Sequence, residues 1–205
     1  MHPAAPAQHP VRPRAPHRPG PRSAWWRALL ALACMALVFA AAPVRADERA
    51  ELTTFDVVRD EDGVYLNYAV DFELSRSVED ALAKAVPLFF VAEAQIFRDR
   101  WYWRDRRVAD AVRVWRIVYQ PLTSSYRVTF GGLSQTYATR AEAVAAISRG
   151  TRWKIADPGQ IEEGSSHYIE FSYKLDTGLL PRPMQIGVAS QPDWQLSVKR
   201  TLRLN

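Results

Sequence analysis

A chain of 205 residues allows one ordinary domain with an appendage and is short for two domains. Apolar side chains make up 48% of it, enough to pack a core, so wholesale disorder is excluded. The formal charge of +5 does not mark a nucleic-acid binder: residues 1–46 hold six arginines (Arg12, Arg14, Arg18, Arg22, Arg27, Arg45) and no acid, which leaves residues 47–205 with 21 bases and 22 acids, a net of −1.

Residues 1–46 read as an address rather than as structure. The first 27 are rich in Pro, His and Arg and lack apolar periodicity, so they are expected to stay disordered. Ala28–Ala42 is then an unbroken apolar run, followed by Val44-Arg45-Ala46 and an acidic turn in composition at Asp47-Glu48. A basic segment, an apolar segment and a small-residue site form an export signal with cleavage expected after Ala46. The run falls short of the roughly 20 residues needed to cross a bilayer, though Trp25-Trp26 would suit an interface if it were kept as an anchor. With either fate the positive-inside rule leaves residues 47–205 outside the cytoplasm, periplasmic and in the second case tethered to the inner membrane. Cys34 lies only six apolar residues into the run, with Ala31 three before it, so lipidation is not expected. The remaining residues hold no cysteine, and no disulfide can staple them.

Along 47–205 the period-2 pattern dominates. Leu52–Arg59 and Val64–Leu74, joined by Asp60-Glu61-Asp62-Gly63, read as a hairpin. Ser77 is expected to open a helix over Val78–Val86, ended by Pro87. Strands follow at Leu88–Trp103 (bent), Val112–Tyr119 and Tyr126–Phe130, with Gly131-Gly132 as a turn. Thr139-Arg140-Ala141-Glu142 is a capping box, and Gly150 is expected to close that helix in the left-handed conformation. Tyr168–Leu175 alternates again; Met184, Ile186 and Val188 continue the pattern, then Trp194–Leu204, with only Arg200 out of step. About eight strands and two short helices without intervening crossovers predict a mainly β fold, an antiparallel β-sandwich or an α+β variant of it.

Chemistry-bearing constellations are few. His167 is the one histidine of 47–205 and is expected to be a hydrogen-bonded edge residue; one His and no Cys do not make a zinc or copper site, and no metal or cofactor is expected. Gly164-Ser165-Ser166-His167 lacks nucleophile-elbow spacing, and Asp60–Gly63 fails calcium-loop spacing because the glycine comes at position four. The distinctive stretch is 98–116, with seven arginines against three aspartates. Trp101 and Trp103 share one strand face, while Arg98, Arg100 and Arg104 share the other; together with Trp115 they form the candidate binding surface. Exposed, the tryptophans would stack on glycan rings and the arginines on an anionic envelope partner; buried, the tryptophans are core and the Arg/Asp pairs lace the solvent face.

The whole of 47–205 resembles an exported bacterial family known as domain of unknown function 4390, described as proline-rich signal peptide proteins. The likeness is carried by the Leu66–Glu73 strand running toward Ser77, Trp101-Tyr102-Trp103, Trp115–Gln120 with Pro121-Leu122, Tyr126-Arg127-Val128 and Trp194–Arg200. It implies an extracytoplasmic protein of Gram-negative bacteria with no assigned activity, whose gene is often found near that of a membrane sensor kinase. The expected function is therefore a non-catalytic extracytoplasmic module that binds an envelope or membrane protein. The alternatives are a glycan-binding or glycan-hydrolysing domain and a membrane-anchored accessory to an envelope sensor kinase.

Overall fold

The computed structural model describes residues 50–204 apart from 101–103, 163 and 189. Residues 1–46, where an export segment and cleavage after Ala46 are expected, and the pair Trp101 and Trp103 lie outside the described residues. Among those described are nine strands in two antiparallel sheets and three α-helices, a sandwich-like arrangement without a closed barrel.

The smaller sheet has the order β1 (Ala50–Asp60), β2 (Gly63–Phe72) and β7 (Arg149–Ala156). The larger runs β6 (Leu133–Tyr137), β5 (Ser125–Phe130), β4 (Arg106–Gln120), β3 (Leu88–Arg98), β8 (His167–Leu175), β9 (Ser197–Leu204). The expected hairpin forms, with Asp60 opposite Gly63. Its second strand turns Val64, Leu66, Tyr68, Val70 and Phe72 inward, all buried, as period-2 alternation requires.

The sheets meet on an aromatic seam. Phe72 stacks on Phe90 at 5.4 Å, Tyr68 lies 4.9 Å from Phe171, and Phe55 lies 5.4 Å from the same ring. At the flanks β7 packs on β4 and β1 on β9. Arg113 of β4 reaches inward and sets its guanidinium 5.0 Å from the Trp153 ring of β7. Arg200, out of step in the pattern, faces inward on the edge strand β9, a charge placed where it discourages a foreign strand from pairing.

The helices cover what three strands cannot. Helix α1 (Arg76–Ala83) packs against a 3₁₀ turn at Pro192–Trp194, and α2 (Arg140–Ile147) lies on β5, β6 and β7. Thr139 and Glu142 form the capping box as expected. Four boundaries differ from expectation. The α1 cap is Ser75, whose hydroxyl accepts from the Val78 amide, while Ser77 bonds to Asp193. The helix stops at Ala83, and Ala85 takes a positive φ of 61° before Pro87 is reached. Helix α2 ends at Ile147 with Ser148 as a right-handed cap, so Gly150 is not a helix stop but a strand residue opposite Tyr68. Residues read as a strand at Met184–Val188 form α3 (Arg182–Val188), which exposes Ile186 and buries Val188.

Candidate functional site

The arginine-rich stretch is not one surface. A β-bulge divides it: Ile96 pairs with Ala109 and Phe97 with Arg107, so Val108 is extra and the strand beyond it changes course. Past that point Trp115 turns into the core, 5% exposed, and stacks on Phe130 at 5.4 Å. Trp115 therefore leaves the candidate binding surface, because an indole packed between sheets offers no face to a ligand. Trp153 and Trp194 are buried as well, so no tryptophan among the described residues is open to a glycan ring.

What remains is the β3–β4 end, and it is braced. Arg98 pairs with Arg106 on one side and His167 on the other, and its guanidinium meets Glu162 at 2.8 Å. The amide of Asp99 donates to the Ser166 carbonyl at 2.9 Å. Asp105 accepts from the Arg100 amide at 3.2 Å and from the Tyr168 hydroxyl at 2.8 Å. Tyr168 in turn stacks on Phe97 at 5.3 Å. The 98–106 connection is thus tied to the 162–168 segment at three points.

Against that frame Arg100, Arg104 and Arg106 stand exposed, and no carboxylate of the described residues lies within ion-pair distance of any of them. Arg98, grouped with them by sequence, is instead half-buried and committed to Glu162. The end therefore offers guanidinium donors next to residues tied to the 162–168 segment. That arrangement suits carboxylate or phosphate oxygens, since guanidinium forks bind them in two parallel bonds. Glu162, Ser166 and Tyr168 escaped sequence reading because they hold the site without carrying its charge; the one signal was Tyr168, an aromatic on the solvent parity of β8.

Partial desolvation, then the hydrogen bond to Asp105 and the negative charges around it, push the Tyr168 phenol up to about 12. The folded state favours the protonated phenol. Its contribution is whole below the ordinary value near 10 and is lost as pH rises toward 12. A 295 nm titration of the wild type minus that of Tyr168→Phe is expected to show one phenol ionising near pH 12; a difference centred near 10 would contradict the brace.

His167 is buried rather than at an edge, since β8 lies between β3 and β9. Its Nδ1 lies 3.0 Å from the Ser165 carbonyl, an acceptor, so Nδ1–H donates to it. Nε2 is buried and has no hydrogen-bond partner among the described residues. His167 lines a cavity of about 450 Å³ together with aliphatic residues such as Val57 and Leu204 and polar ones such as Ser165, Ser166 and Arg59, whose guanidinium donates to the Ile161 carbonyl at 3.1 Å. Among the described residues no group of three or more His, Cys, Asp or Glu side chains is placed to hold a metal ion.

The family comparison matches residues 47–203 to the domain of unknown function DUF4390. The chain belongs to it. The match takes in every element that builds the β3–β4 end, so the braced arginines sit inside the DUF4390 domain rather than in an addition to it. Comparison with curated proteins and with solved structures finds no match. No helix among the described residues is long and apolar enough to cross a membrane.

Proposed function

We propose that this DUF4390 protein is a non-catalytic extracytoplasmic module of the cell envelope that holds an acidic surface of a membrane or envelope protein at its β3–β4 end. The observation that supports it is the trio Arg100, Arg104 and Arg106, exposed and without an acidic partner among the described residues, beside the ties Arg98–Glu162 and Asp105–Tyr168. Clustered guanidinium groups speed encounter with a surface of the opposite sign and disfavour like-charged partners. The export reading rests on the basic start, the apolar run Ala28–Ala42 and the small residues ending at Ala46. N-terminal sequencing of the envelope fraction separates release, with a start at Asp47, from a retained tether.

The triple reversal Arg100→Glu, Arg104→Glu, Arg106→Glu is expected to lower co-purification of the envelope partner by about tenfold or more at low salt. Its thermal unfolding should match the wild type, because all three side chains lie in solvent. Equal recovery by wild type and reversal, with the fold intact, would overturn the proposal.

A further inference from the structure

The four edge strands of the two sheets are unequally defended. β1 carries Glu51, Asp56, Arg59 and Asp60; β7 carries Arg149, Arg152 and Lys154; β9 carries Lys199, Arg200 and Arg203. Charges on an edge deter the pairing that its free peptide groups invite. β6 has none, and no charged residue occurs from Phe130 through Thr139. Its outer side is also open: Leu133 is 77% exposed, and Ser134, Gln135 and Thr136 are exposed beside it.

The register fixes what that edge offers. Gly131 and Gly132, with φ of 55° and 84°, make the two-residue turn that brings Phe130 opposite Leu133. Residues flanking such a turn form a hydrogen-bonded pair, so Leu133, Gln135 and Tyr137 direct their peptide groups to β5. Those of Ser134 and Thr136 point away from the sheet, and no turn or loop bond among the described residues uses them.

We infer that β6 is a self-association edge, and that a second copy of this chain pairs antiparallel to it about a two-fold axis through Gln135. An interface between identical chains must complement itself, and this one does. Ser134 falls opposite the second copy's Thr136, joining the two pairs of outward peptide groups in four backbone hydrogen bonds. On the helix-covered face Leu133 falls opposite the second copy's Tyr137, an apolar–aromatic cross-strand pair that removes the exposed leucine from water. The same operation at β7 or β9 would set Arg and Lys against their own copies. Five residues bury little area, so the dimer is weak and governed by concentration.

The test is a charge swap at the axis, read by sedimentation of the full chain in mild detergent, which keeps residues 28–42 dispersed. Wild-type protein is expected to move from monomer to dimer as its concentration rises. Gln135→Lys and Gln135→Glu, each placing like charges opposite each other, should both remain monomeric, and an equal mixture of the two should dimerise again. Restoration by mixing also shows that neither variant has misfolded. A wild type that stays monomeric throughout, association that persists in either single variant, or a mixture that stays monomeric would each overturn the inference.

Discussion

Replacing Gly150 by alanine is expected to destabilise the protein by about 3 kcal/mol, at the upper end of what overpacking costs. Strand propensity alone predicts the opposite sign, since glycine inside a strand usually costs roughly 0.5–1 kcal/mol relative to alanine. The reversal comes from Tyr68. A Cβ built at Gly150 would enter the Tyr68 ring at Cε1, Cζ and Cδ1. The ring cannot swing aside: it is 2% exposed and lies against Trp153, Phe171 and Tyr173. Nor can β7 retreat freely, because Gly150 and Arg149 are paired with Tyr68 and Ala69 of β2. Chemical denaturation should show a lower midpoint with an unchanged slope. Tyr68→Leu in the same chain should recover part of the loss, which marks the two positions as coupled. A cost below about 1 kcal/mol for the alanine variant alone would mean that the close approach does not limit the packing.

Phe171→Ala is expected to cost about 3–5 kcal/mol, the range for deleting a fully buried aromatic ring. Phe171 belongs to the larger sheet, is 1% exposed, and touches Phe55 and Tyr68 of the smaller one, so its removal opens a gap between the layers. Ile186→Ala removes an aliphatic side chain that is 87% exposed and should leave the midpoint unmoved. Equal effects of the two substitutions would contradict the placement of the core.

The strands that were legible in the sequence are those with one wet and one dry face. Val64 to Phe72 and His167 to Leu175 alternate without interruption because each lies inside its sheet with one side in the core. β6 was missed because Leu-Ser-Gln-Thr-Tyr has no apolar alternation; the double glycine before it announced a turn, but the second arm buries almost nothing. β7 was missed because Gly150 was given the role of a helix stop, when its task is to admit the Tyr68 ring. Three apolar residues at period 2, Met184, Ile186 and Val188, are too few to tell a strand from a helix turn, and Pro183 sits where a first helical turn tolerates it. At the candidate site the arginines were visible as a run of charge. Which of them face solvent was not, because the bulge at Val108 and the Glu162 partner of Arg98 depend on strands distant in sequence.

Recognition at the braced arginine end is tested most directly by placing a photoreactive amino acid at Arg104 in one strain and at Arg182 in α3 in another, then irradiating intact cells. One dominant adduct is expected from position 104, absent from 182, and suppressed when Arg100 and Arg106 are both changed to glutamate. Adducts from both positions alike, or an adduct from 104 that survives the reversal, would contradict recognition at that end.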